Sequence, residues 1–329
     1  MPATMMTAVR FHATGGPEVL RLEDAPAPTP GEGQALVRLR AAGVNFADIY
    51  QRRGDYPVPG GLPCIAGQEG AGMVEAVGPG VSGLRPGDRV TYTGVMGSYA
   101  ELVAAPAWRL VPIPAEVTFE QAAGIMLQGM TAHYLLHTTH HTRAGETVLV
   151  HAAAGGVGLL LVQMAKMLGA RAIGTVSTPE KARLAREAGA DEVILYTQTD
   201  FAEEVKRLTG GRGVDLVLDA VGKDTFQKGL EALAVRGHMI VYGRAAGLPD
   251  PIVPNSLMAK GLTLSGTSLV HFTATREELM ERAGAVLGWL GRGRLKLTIH
   301  KTFPLAQAAE AHRLLENRQT VGKLILTVP

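Results

Sequence analysis

The sequence predicts an α/β protein in which an all-β portion is joined to a doubly wound parallel sheet. Three observations predict it. The run Thr147-Val148-Leu149-Val150-His151 has the β-branched texture of a strand buried on both faces. Small residues, Ala152 to Gly158, follow at once, and apolar residues at helical spacing then continue to Leu168, with Gly169 placed to close the helix. Behind this strand–turn–helix, strand and helix patterns alternate to about residue 268, as right-handed crossovers in a parallel sheet require.

Taken in order, residues 1 to about 120 read as β. Short alternating runs (8–11, 35–39, 72–77 and 98–103) are separated by clusters of Gly and Pro at 14–17, 28–31, 78–80 and 85–88. Such punctuation suits a small barrel with many corners. Residues 120–140 carry apolar residues at helical spacing, including Ala122, Ile125, Met126, Met130 and Leu135. After the opening unit, strands are predicted at 171–176, 192–195, 214–219, 238–242 and 261–266. Helices are predicted at 179–188, 201–209 and 225–233, the first with Pro179 in its first turn. A helix at 276–290 and a helix and strand within 303–328 complete the chain. The two domains expected are therefore 1–122 with 270–329, and 123–269.

Composition excludes several classes. Nearly half of the residues are apolar and the net charge is +2, so a full core is available and nucleic acid is not an expected partner. Cys64 is the single cysteine, which leaves no disulfide framework and no cysteine-rich zinc lobe. The first residues lack a signal-peptide layout, and no apolar stretch is long enough to span a bilayer. A cytoplasmic protein is expected.

The small-residue turn is the principal functional signal. Ala153, Gly155 and Gly158 take the places of G-x-G-x-x-G, and Gly156 and Val157 lie between them. Such a turn also serves bare helix–strand packing. In a strand–turn–helix frame it lets a pyrophosphate approach the backbone at a helix N-terminus. An NAD site carries an acid about 20 residues past the glycines. Here the strand 171–176 ends in Ser177-Thr178 with no acid at its tip, and Lys181 follows in the next helix. Hydroxyls and an ammonium suit a 2′-phosphate, so NADPH is the expected cofactor, although Lys181 can also be read as a solvated helix face. Val221 and the segment Tyr242-Gly243-Arg244 fall at the C-terminal ends of predicted strands, where such sheets bind ligands.

The stretches GETVLVHAAAGGVGLLLVQMAKMLGA, VNFADIYQRRGDYP and VGKLILTVP resemble the zinc-independent NADPH:quinone oxidoreductase branch, ζ-crystallin-like, of the medium-chain dehydrogenase/reductase superfamily. The resemblance covers essentially the whole chain. It implies a GroES-like β-barrel catalytic domain made from both chain ends, a Rossmann domain between them, and an active site in the cleft between the two. It also implies cofactor contacts by Thr131, Tyr134, Lys181, Tyr196 and Arg318, and places Asn45, Tyr50, Tyr56 and Thr131 at the reacting end. Read without it, Asn45 can satisfy a turn, Tyr56 can simply pack, and Arg318 is a helix C-terminal charge.

Zinc-dependent relatives hold their metal with Cys, His and Cys. The matching positions here are Asn45, Gln68 and Leu127, which cannot replace thiolate and imidazole, so no metal is expected. His137, His140 and His141 are taken as decorating a solvated helix end. The chemistry implied is direct hydride transfer from NADPH to a quinone or another electron-poor carbonyl. The alternatives are an NADPH-dependent reductase of α,β-unsaturated carbonyls and a non-catalytic NADPH-binding protein. A homodimer through Rossmann-domain edge strands is expected, with the apolar run 262–265 as the edge.

Overall fold

The computed structural model describes residues 4–329. The chain opens with β1 (Met5–Phe11), β2 (Arg21–Pro26), β3 (Gln34–Val44), α1 (Phe46–Arg53), β4 (Cys64–Ile65) and β5 (Glu69–Val77). It continues through β6 (Arg89–Thr93), β7 (Leu102–Pro106), β8 (Val111–Pro112) and α2 (Phe119–Tyr134). Alternation then begins: β9 (Thr147–Val150), α3 (Gly156–Met167), β10 (Arg171–Val176), α4 (Pro179–Glu187), β11 (Glu192–Leu195), α5 (Phe201–Leu208) and β12 (Val214–Asp219). It closes with α6 (Phe226–Ala232), β13 (Leu233–Val241) and β14 (Thr263–Gly266). The remainder is α7 (Arg276–Gly291), β15 (Ile299–Pro304), α8 (Ala308–Glu316) and β16 (Lys323–Thr327). Two compact units result, one from the chain up to Leu127 with Thr273–Pro329, the other Gln128–Phe272.

The first unit is the GroES-like one. A sheet ordered β15-β16-β3-β5-β6-β8 also receives β7 on β3, and a small separate antiparallel sheet, β2-β1-β4, packs against it, with Ala8 bridged to Ala100. The long β3 is the spine, paired antiparallel with β5, β7 and β16. Inward residues such as Val37, Leu39, Val90 and Tyr92 form one core cluster, and Phe11, Val44, Tyr99, Phe303 and Leu326 form another. Among the elements not named from the sequence are α1, β15 and the strands β2, β4, β6 and β8. Helix α1 starts because the Asp48 carboxylate accepts the Asn45 N–H at 2.8 Å, and it stops at Gly54, in left-handed backbone at φ +85°. Asn-x-x-Asp followed by Gly is a legible start and stop, hidden in a segment dominated by strand signals.

The second unit is one parallel sheet in the order β11-β10-β9-β12-β13-β14. Its first strand, β9, is fully buried and lies between β10 and β12, so the strand order reverses beside it. Leu149, Ile173, Val217 and Met239 contribute to a core closed by Phe201, Val205, Phe226 and Leu230 from α5 and α6.

The histidines correct one expectation. After α2 the chain makes a wider, π-helical turn, Leu135–Thr139, and of His137, His140 and His141 only His141 is exposed. The His137 ring stacks on His133 at 4.4 Å. His140 Nδ1 lies 3.2 Å from His238 Nδ1, and its Nε2 lies 3.3 Å from the Glu146 carboxylate. An extra residue in the turn brings these rings onto the unit instead of into water.

Burial holds His140 and His151 below the ordinary histidine value, His238 at about 4 and His312 at about 3. These groups are neutral when folded and take up protons on unfolding. Their stabilisation is therefore complete above 6.5 and is lost as pH falls toward 4. Asp48, raised to about 7, acts in the opposite sense but alone. The melting temperature should fall steadily on acidification from neutrality, with a shallower slope in His238→Gln. A melting temperature that is flat or rises on acidification refutes this.

Candidate functional site

The C-terminal ends of the parallel strands gather most of the nucleotide residues predicted from the sequence. From β9, residues 151–158 lead into α3. Its N-cap is Gly155, in extended backbone at φ −74° and ψ 170° and with no capping side chain. The first-turn amides, Val157 among them, therefore face outward without the usual hydroxyl or carboxylate, at the positive end of the helix dipole.

The small residues divide the work. A Cβ on Gly158 would lie 2.3 Å from Ala152 O, so that glycine lets α3 close onto the strand. A Cβ on Gly156 would strike the Gln128 amide at 2.1 Å, so its smallness serves this chain's own side chain. Ala153 is fully buried, and a Cβ on Gly174 of β10 would meet it at 2.7 Å. A Cβ on Gly155 would meet only Ala152 O, at 3.1 Å, a close contact with backbone.

Val176 of β10 pairs with Leu195 of β11, so Ser177-Thr178 and Tyr196 leave adjacent strand tips. Thr178 caps α4 by accepting the Lys181 N–H at 3.3 Å, which puts Lys181 in the first turn beside the two hydroxyls. Tyr196 is exposed, and Ser177 O accepts the Thr197 hydroxyl. From β12 the loop through Val221 is held by Asp219, a buried residue that sequence reasoning passed over. Its carboxylate accepts the Val221 N–H at 2.7 Å, the Gly222 N–H at 3.1 Å and the Thr225 hydroxyl at 2.8 Å. Tyr242, Gly243 and Arg244 continue from the neighbouring β13, with the Tyr242 N–H on Asp219 O and Gly243 close against Ala220. Thr131 and Tyr134 lie one turn apart on α2, both buried. The Tyr134 ring stacks on Phe272 at 4.1 Å, its hydroxyl meets Thr267 Oγ1 at 3.1 Å, and burial pushes its phenol up to about 12.

The remaining predicted residues belong to the first unit. Tyr50 is buried, Tyr56 is exposed, and their rings meet edge to face at 5.1 Å. Arg318 follows α8 in left-handed backbone at φ +55°. Asn45 is 2% exposed and is wholly engaged within the protein. Its Nδ2 donates to Glu69 Oε2 at 2.8 Å and to Gly43 O at 3.3 Å, and its Oδ1 accepts from Lys323 Nζ at 2.7 Å. Lys323 also donates to Glu69 Oε2 at 2.7 Å, and the Leu127 N–H donates to Glu69 Oε1 at 2.7 Å. Both charged side chains are fully buried. A Cβ on Gly43 would lie 2.4 Å from Glu69 Oε2 and 2.9 Å from Lys323 Cε. Sequence reasoning missed Lys323; its signal was a lone cation opening the apolar run 324–326.

Two of the three positions matching zinc ligands, Asn45 and Leu127, thus bind a carboxylate that a lysine already neutralises. A zinc ion does not fit this set, which offers it neither thiolate nor free imidazole. Among the described residues no group of three His, Cys, Asp or Glu side chains could hold a metal ion.

Comparison with known proteins agrees with both halves. The family described as "Alcohol dehydrogenase GroES-like domain" matches residues 31–115, and "Zinc-binding dehydrogenase" matches residues 156–284. The chain is 46% identical over 324 residues to a quinone oxidoreductase of Pseudomonas aeruginosa, covering 98% of this chain and 99% of the relative. It is 44% identical over 329 residues to a 2-haloacrylate reductase of a Burkholderia species, with 98% and 99% covered. The crystal structure of Escherichia coli quinone oxidoreductase complexed with NADPH superposes with a TM-score of 0.95 at 40% identity, over 98% of this chain and all of that one.

Removing one partner of the buried ion pair leaves the other charged and unpaired. Lys323→Met should cost about 3–5 kcal/mol, and adding Glu69→Gln should recover much of that. Denaturation midpoints of the single and double variants decide it. A double variant no better than the single one refutes the pairing.

Proposed function

Because the chain belongs to the quinone oxidoreductase branch of the medium-chain dehydrogenase/reductase superfamily, we propose that it is an NADPH-dependent quinone reductase working without a metal. The observation that carries the reading is identity of 41–46%, over nearly full length, to quinone oxidoreductases of two bacteria.

The nucleotide turn fits the cofactor. The N-terminus of α3, uncapped by any side chain, suits a pyrophosphate. Ser177, Thr178 and Lys181 would hold the 2′-phosphate, with Tyr196 on the adenosine side and Arg318 as a further phosphate contact. Asp219 keeps the Val221 loop in place, and Tyr242, Gly243 and Arg244 line the neighbouring strand end. When bound, NADPH supplies a hydride from its nicotinamide. The residues of this chain bind, orient and exclude water; Thr131 and Tyr134 would serve the nicotinamide end, and Tyr50 and Tyr56 the acceptor. A quinone asks for little further help, because the oxyanion formed by hydride addition is resonance-stabilised.

A second reading, reduction of α,β-unsaturated carbonyls, is favoured by the 44% identity to a 2-haloacrylate reductase. It would share every cofactor residue named above.

A homodimer is part of the proposal. β14 lies at the sheet edge, with Leu264 and the preceding Leu262 half-buried against the unit's own core. Val235 and Met258, close to that strand, are 73% and 75% exposed. Such an edge invites a second copy. A cytoplasmic setting accords with a single free cysteine, and no described helix is long and apolar enough to cross a membrane.

NADPH should be oxidised with a para-quinone, and NADH much more slowly. Lys181→Ala should raise the KM for NADPH about tenfold or more while leaving that for NADH unchanged, as loss of one charge-assisted contact implies. Turnover confined to an unsaturated carbonyl selects the second reading, and no turnover on either acceptor overturns the enzyme. Leu264→Lys should shift the sedimenting species from twice 34.7 kDa to the single chain.

A further inference from the structure

A second run of buried polar side chains crosses the first unit, beginning at the cap of α1. Tyr99 OH lies 3.0 Å from Asp48 Oδ2 and 3.1 Å from His312 Nε2. Arg52 Nη1 lies 3.5 Å from His312 Nδ1, and its Nη2 donates to Glu316 Oε1 at 2.5 Å. Asp48, Tyr99, His312 and Arg52 are each no more than 3% exposed, and only Glu316, with a side chain 21% exposed, reaches toward water.

The direction of this chain follows from its members. A guanidinium has donors only, so His312 Nδ1 must accept from Arg52, and the imidazole proton sits on Nε2. That proton is donated to the Tyr99 oxygen, which leaves the phenolic proton for Asp48 Oδ2. The Asn45 N–H is aimed at the same oxygen from the other side, at 2.8 Å. Every donor thus converges on one carboxylate oxygen, an arrangement that favours the ionised form over the acid.

The other charged groups facing Asp48 divide. Lys323 of β16 favours its ionisation, Glu69 of β5 opposes it, and burial opposes it most, pushing the carboxyl up to about 7. The donors from Tyr99 and Asn45 keep that value from going higher. Asp48 in turn holds the first turn of α1, where Asn45 meets Lys323 and Glu69.

We propose that Tyr99 and His312 are positioning residues that keep Asp48 a carboxylate near neutral pH, and that the Asn45 cap of α1, and with it turnover, depends on that charge. The inference rests on the reductase reading. In it, protonation of Asp48 loosens the cap and sets the acid limit of the enzyme.

The test measures kcat/KM for a para-quinone against pH in the wild type, Tyr99→Phe and Asp48→Asn, beside a carbon-13 titration of the Asp48 carboxyl. Tyr99→Phe keeps the ring and removes one donor. Its acid limb should move up by about one pH unit, so that activity on the limb is about tenfold lower, while at about pH 9 it stays within roughly twofold of wild type. Asp48→Asn, which carries no charge at any pH, should show no such limb and at about pH 9 no more than about a tenth of wild-type activity; full activity there overturns the proposal. The carboxyl midpoint should rise in Tyr99→Phe by the same unit. A limb unmoved in Tyr99→Phe, a loss equal at every pH, or a limb that persists in Asp48→Asn overturns the proposal. If the wild type does not reduce the quinone, the reductase reading fails, and the carboxyl titration decides alone: an unmoved midpoint overturns the inference and a raised one sustains it.

Discussion

The Lys323–Glu69 ion pair is the constraint on which the first unit depends. Two full charges with no exposure to water persist only because each has several partners. Glu69 receives Lys323, Asn45 and the Leu127 amide; Lys323 gives to Glu69 and Asn45. One carboxylate therefore ties together β16 near the end of the chain, the segment leading into α1, and α2. Here the cation that neutralises this buried carboxylate is part of the polypeptide. Its geometry is set when the chain folds, whatever metals the surroundings hold.

The second unit rests on a different device, a sheet whose strand order reverses beside β9. That reversal places the ends of β10 and β12 on either side of the small-residue turn. The hydroxyls after β10 and the Asp219-held loop after β12 are therefore positioned by backbone pairing before any side chain chooses a rotamer. Asp219 and Gly158 act alike in this respect. Neither needs to touch a ligand to matter, since one fixes a loop and the other the approach of a helix.

Legibility in the sequence followed the range of the interactions. The strand–turn–helix at 147–168 and the alternation behind it are local patterns, and the parallel sheet follows from them. Helix α1 was hidden because its cap signal, Asn45 and Asp48, spans four residues inside a β-rich segment. The Lys323 pair could not be read at all, because its partners lie 254 and 278 residues away in the chain. The same holds for Tyr99 and His312, separated by 213 residues. His140 was misplaced in water because its partner, His238, comes from β13 and no helical pattern points to it. The resemblance named Asn45 as a polar contact of the site, and the structure accounts for its amide within the protein.

Gly155 has a further consequence. Any polypeptide selected for stability alone would place Ser, Thr, Asp or Asn at that cap, since such a side chain is worth about 1 kcal/mol to a helix. A residue of that kind would satisfy the amides of α3 that, in the proposed reading, meet a phosphate. The helix is left short of its own best stability, and in the proposed reading a bound phosphate would complete what the chain omits. Stability engineering guided by helix-capping statistics would select this position for improvement, and on the proposed reading each improvement would erode the nucleotide site.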